Sequence, residues 1–127
     1  MRKLDTTDAM VWLNKKEKHM SKTKLRPQLP RKIKVGKKMY TVDILGTMLQ
    51  SGDMARVHYD RQTIEIGKRS NKTGKKFSAN DIHDSFWHEL VHAILFDMDE
   101  YALNRNEKFV TEFATKLADA IKSARFE

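Results

Sequence analysis

The stretch 84-DSFWHELVHAILFDM-98 constrains this chain more than any other part of it. At its centre His88-Glu89-Leu90-Val91-His92 form an HExxH pattern, set among apolar Phe86, Trp87, Ala93, Ile94, Leu95 and Phe96. The run reads as a packed helix. Each helical residue turns about 100°, so His88 and His92 stand about 40° apart, one turn along the axis. Both rings then leave the same face and can bind one zinc ion through nitrogen, at about 2.0–2.1 Å. Glu89 is offset by about 100° from His88, beside the metal rather than on it. There it can take the proton from a water that the metal activates. A packed helix makes the metal the economical reading, because each polar group buried without a partner costs about 1–3 kcal/mol. The plainer alternative is two histidines on a solvated face.

Catalytic zinc usually takes three protein ligands and keeps one position open. No histidine follows His92 and the chain has no cysteine, so only carboxylates can complete the set. Asp97, Asp99 and Glu100 follow directly, and the last helix offers Glu107 and Glu112. Helical phase favours Glu107, which heads the apolar stripe Val110, Ala114, Leu117 and Ile121. Glu112 shares its face with Thr115, Lys116, Asp119 and Ser123, which reads as solvated. Glu107 is the expected third ligand and Glu112 the alternative. A competing reading makes Asn104 a helix cap, with Glu107 its capping-box partner.

The expected fold class is α+β. Ile33 and Val35, then Tyr40, Val42 and Ile44, alternate about Gly36, which predicts a hairpin within 31–45. Residues 54–59 and 63–67 read as two further strands, giving a small antiparallel sheet of three or four. Ser78, with Asp81 three residues on, predicts the start of the HExxH helix, which should reach about Asp97. A connection over 98–106 leads to a last helix from Glu107 to about Arg125. Residues 5–20 give a weak helical pattern and 21–30, with both prolines, an extended linker. The expected division is a basic N-terminal arm or helix, 1–29, and a zincin-like domain, 30–127.

Charge is uneven. Residues 1–40 carry 13 Lys/Arg against 3 Asp/Glu, while the remaining 87 carry 12 against 14. Such an arm can contact nucleic acid or another polyanion, or serve only as a solvated extension. The absence of cysteine excludes disulfides, thiolate metal sites and cysteine nucleophiles. No apolar run approaches the roughly 18 residues of a membrane span, and a cytoplasmic location is expected.

On 88-HELVHAILF-96 and 107-EKFVTEFATKLADAI-121, with its Phe113-Ala114 pair, the sequence resembles small HExxH proteins of phages and bacteria. These lie near the ImmA/IrrE-type and minigluzincin metallopeptidases. The resemblance extends more loosely over strands 54–66 and covers about residues 30–125. It implies a gluzincin-type Zn2+ site with His88, His92 and Glu107 as ligands and Glu89 as general base. It also implies a protein or peptide substrate, and a host-cell cytoplasmic setting for a phage product. One departure stands out: where gluzincins often place an acid four residues after the ligand glutamate, this chain has Thr111. His58 and Tyr101 are the residues considered for stabilising an oxyanion. The rival expectation is a metal-containing binding protein whose arm contacts nucleic acid or a host protein without catalysis.

Overall fold

The computed structural model describes residues 29–46, 54–70 and 73–126. The expected helix at 5–20 and most of the 21–30 linker lie outside the described residues, as does the arm's role in binding. Four strands make one sheet: β1 (Lys32–Val35), β2 (Lys38–Leu45), β3 (Ala55–His58) and β4 (Thr63–Gly67). Three helices follow: α1 (Ala79–Asp97), α2 (Tyr101–Arg105) and α3 (Glu107–Ser123).

β1 and β2 form the expected hairpin, turning at Gly36, whose φ of +61° suits a residue without Cβ. The sheet is not antiparallel throughout, as the strand pattern led one to expect. Its order is β1-β2-β4-β3, and β4 runs parallel to β2. The reason is burial. β4 carries Ile64 and Ile66, both 0% exposed, whereas β3 carries Arg56 and His58 on its outer side. A strand with two fully buried side chains gains most in the centre, about 1.5–3 kcal/mol for each large aliphatic group. The β3–β4 hairpin therefore docks with β4 against β2, leaving β3 on the edge.

One face of the sheet packs on α1. Val35, Tyr40, Val42, Ile64 and Ile66 meet Phe86, Leu90 and Ala93 in one core. On the other side of α1, Val91 and Leu95 meet Val110 and Ala114 of α3, with Trp87 touching both clusters. α1 is thus sandwiched and cannot shift without disturbing two interfaces. Its start is fixed by a reciprocal capping box: Ser78 Oγ accepts from the Asp81 amide, and the Asp81 carboxylate accepts from the Ser78 amide.

Its end is equally definite. The Glu100 amide donates to the Leu95 carbonyl and the Asp99 amide to that of Phe96, with Asp99 at φ +61°. This is a Schellman closure with an aspartate in the left-handed position. It reverses the chain at once into α2, a five-residue helix inside what the sequence suggested was an irregular connection. Asn106, not Asn104, caps α3: its side-chain oxygen accepts from the Phe109 amide. The reading of Asn104 and Glu107 as a capping pair is therefore overturned. Asn104 is held within α2, and Glu107 is the first residue of α3. No helix among the described residues is long and apolar enough to cross a membrane.

Candidate metal centre

Middle residues of α1 supply His88, Glu89 and His92, and the first residue of α3 supplies Glu107. Packing of α3 on α1 through Val110 and Ala114 carries Glu107 to the histidines. His88 Nε2 stands 3.0 Å from Glu107 Oε1, and His92 Nε2 stands 3.0 Å from Oε2. One donor atom from each of the three residues lies within 4.8 Å of the others. Four ligands placed tetrahedrally at about 2.0–2.1 Å stand about 3.3 Å apart, so this spacing suits one small divalent ion. The helical-phase choice of Glu107 puts it at this point. Glu112 is exposed and is absent from the residues lining the adjoining cleft.

Hydrogen bonding shows whether the donors fit a metal. His92 Nδ1 meets the Asn104 side-chain oxygen at 2.5 Å, and the Asn104 amide nitrogen donates to the Tyr59 hydroxyl at 3.1 Å. An amide oxygen only accepts, so Nδ1 carries hydrogen. In a neutral ring Nε2 then presents a lone pair, and it faces a carboxylate oxygen. Two acceptors at 3.0 Å need a cation between them, either a proton or a metal. At His88 burial, with His92 beside it, pulls the imidazole below its ordinary range against the opposing effect of Glu107. That favours the neutral ring a metal requires.

A cleft of about 480 Å³ opens over these groups. His88, Glu89, His92 and Glu107 line one side, and residues 54–57 with Tyr59 line the other. The second wall is therefore the free edge of the sheet. The Gly67 amide donates to the Met54 carbonyl at 2.9 Å. By antiparallel alternation the backbone groups of Ala55 and Val57 point away from β4, toward that open edge.

His58 and Tyr101, considered for an oxyanion role against plainer readings as ordinary strand and loop residues, lie elsewhere. His58 Nε2 bonds Glu65 Oε1 at 2.7 Å on the outer side of the sheet. Tyr101 is exposed and its hydroxyl donates to Asp99 at 2.7 Å. Neither lines the cleft. Tyr59 does. Its ring stacks on Phe96, centroids 4.0 Å apart and planes 9° apart. Burial raises its hydroxyl pKa and Glu89 and Glu107 raise it further, while the Asn104 hydrogen bond works the other way. The phenol therefore keeps its proton at neutral pH. A signal for Tyr59 existed: it shares strand parity with Val57, whose side chain packs into the core on the face that meets α1. Asn104 offered none, because amides are not a recognisable metal-site pattern. His83 is turned away from the histidine pair. It is buried and lines a separate cavity of about 230 Å³ with Phe86, Trp87 and Ile121.

No protein-family model matches the chain, and neither the curated proteins nor the solved structures yield a match.

Proposed function

We propose that the chain is a zinc-dependent metallopeptidase of gluzincin type, zincin-like in the way its sheet, HExxH helix and following helix surround one cleft. The supporting observation is the convergence of His88, His92 and Glu107 within 4.8 Å at the floor of a cleft walled by a sheet edge. The three residues would hold the metal. When bound, zinc would polarise the scissile carbonyl and lower the pKa of water toward about 7. A peptide would lie extended along β3 and pair with the edge-facing groups of Ala55 and Val57, the common strand-addition mode of peptide recognition. Glu89 lines the same cleft and would take a proton from the attacking water and return it to the leaving amine.

Metal content of protein purified without a metal-affinity tag is the first test, with about one zinc per chain expected. Glu89→Gln should then keep that zinc and abolish peptide hydrolysis. A Glu89→Gln protein that cleaves peptides as well as the parent would overturn the reading.

A further inference from the structure

Asn104 lies between two groups with different tasks. One end of its amide meets His92 Nδ1 and the other meets the Tyr59 hydroxyl. We propose that Asn104 is a positioning residue that couples the metal ligand His92 to Tyr59, and that Tyr59 is the donor that meets the developing oxyanion. The inference rests on the metallopeptidase reading.

A neutral imidazole that ligates through Nε2 must carry its hydrogen on Nδ1. That hydrogen needs an acceptor, and the group facing it is the Asn104 side chain. The oxygen end of the amide must therefore point to His92, which leaves only the NH2 end for Tyr59. An NH2 group donates, so the Tyr59 oxygen accepts. The phenol's own hydrogen is thereby released from this pair. Tyr59 is wedged on Phe96 and lines the cleft across from Glu89, so that hydrogen is available where a substrate carbonyl would gain charge. Binding through His92 and the direction of the Tyr59 donor are thus set by one amide.

Substitutions at one position separate the two tasks. Asn104→Ala removes the acceptor, and losing such an outer partner costs about 10–100-fold in metal affinity. Asn104→Asp keeps an acceptor for Nδ1 and should hold zinc about as well as the parent. Its carboxylate cannot donate, however, so the Tyr59 hydroxyl will donate to it and turn from the cleft. Tyr59→Phe should leave zinc binding unchanged. Both Asn104→Asp and Tyr59→Phe should lower peptide hydrolysis about 10²–10³-fold, the usual loss for one oxyanion donor.

Four readouts are needed: peptide hydrolysis, Zn2+ affinity by competition with a chromophoric chelator, binding of a peptide phosphonamidate to the zinc-loaded protein, and the nitrogen NMR shifts of His92. Support is an Asn104→Ala protein weak in zinc, and Asn104→Asp and Tyr59→Phe proteins that hold zinc but bind the phosphonamidate poorly. An unprotonated His92 Nδ1 in the zinc-loaded parent overturns the proposal. So does unchanged zinc affinity in Asn104→Ala, loss of zinc in Asn104→Asp, or undiminished phosphonamidate binding in Tyr59→Phe. A zinc-loaded parent that neither cleaves peptides nor binds the phosphonamidate removes the peptidase reading and the Tyr59 role. The zinc affinities and His92 shifts then still decide whether Asn104 fixes the ring.

Discussion

His88 shows how burial and a neighbouring imidazole tune a single side chain. Burial and the neighbouring His92 depress its pKa in the folded chain below the ordinary value of about 6.5, with Glu107 opposing. Between the depressed value and about 6.5 the unfolded chain binds more protons than the folded one, so stability rises with pH there. The contribution is complete above about 6.5 and is lost as pH falls through the folded value. Metal-free protein should thus unfold at lower urea concentration at pH 5 than at pH 7.5. His88→Gln should flatten that dependence, as read from the two unfolding midpoints. Zinc uptake should weaken over the same interval, because protons compete for the same nitrogen.

At the scale of elements, local chemistry was easy to read and long-range order was not. The Gly36 turn and the Ser78–Asp81 capping box are visible in the sequence because turn and cap depend on residues three or four apart. A Cβ at Gly36 would fall 2.3 Å from an Asp97 carboxylate oxygen, on a backbone at φ +61°. Gly36→Ala should therefore cost about 1–2 kcal/mol by denaturant unfolding, because the left-handed conformation disfavours a Cβ even if Asp97 swings aside.

Strand order was hidden, since it follows from the competition between β3 and β4 for the sheet centre. The last helix starts at Glu107 as expected, but the competing reading put its cap two residues early at Asn104, because the short α2 that holds Asn104 has no periodic signal. The two histidines were legible because helical period sets them on one face, and Glu107 because it heads an apolar stripe. Tyr59 had only its strand parity with Val57 to mark it, and Asn104, which touches across elements, had no such period. Asn106→Ala should lower stability by about 1 kcal/mol, the usual loss of a helix cap. It should also weaken zinc binding, because Glu107 is the residue that the cap orients. Thermal unfolding and chelator competition measure the two effects separately.

In the whole molecule the candidate centre bridges two layers. α1 gives two of the donors and α3 the third, so a bound ion would clamp the α1–α3 interface as well as fill a site. A ligand that binds only the folded form adds about 2.7 kcal/mol at a hundred times its dissociation constant. Saturating zinc should raise the melting temperature by on the order of 10 °C, and a chelator should reverse the rise. Glu107→Gln should abolish most of that shift while leaving the metal-free melting temperature near the parent's.

The burial that draws β4 into the sheet centre leaves β3 on the outside, and a second copy of the chain could pair there as readily as a substrate. Arg56 stands in the middle of β3 and is exposed. Two copies meeting edge to edge about a two-fold axis would bring their guanidinium groups together, which disfavours the pairing. The same charge leaves a lone peptide free to approach. Arg56→Val should therefore promote self-association, visible as increased light scattering with rising protein concentration. In this molecule, pairing with a second copy and admitting a guest strand would be decided on the same four residues.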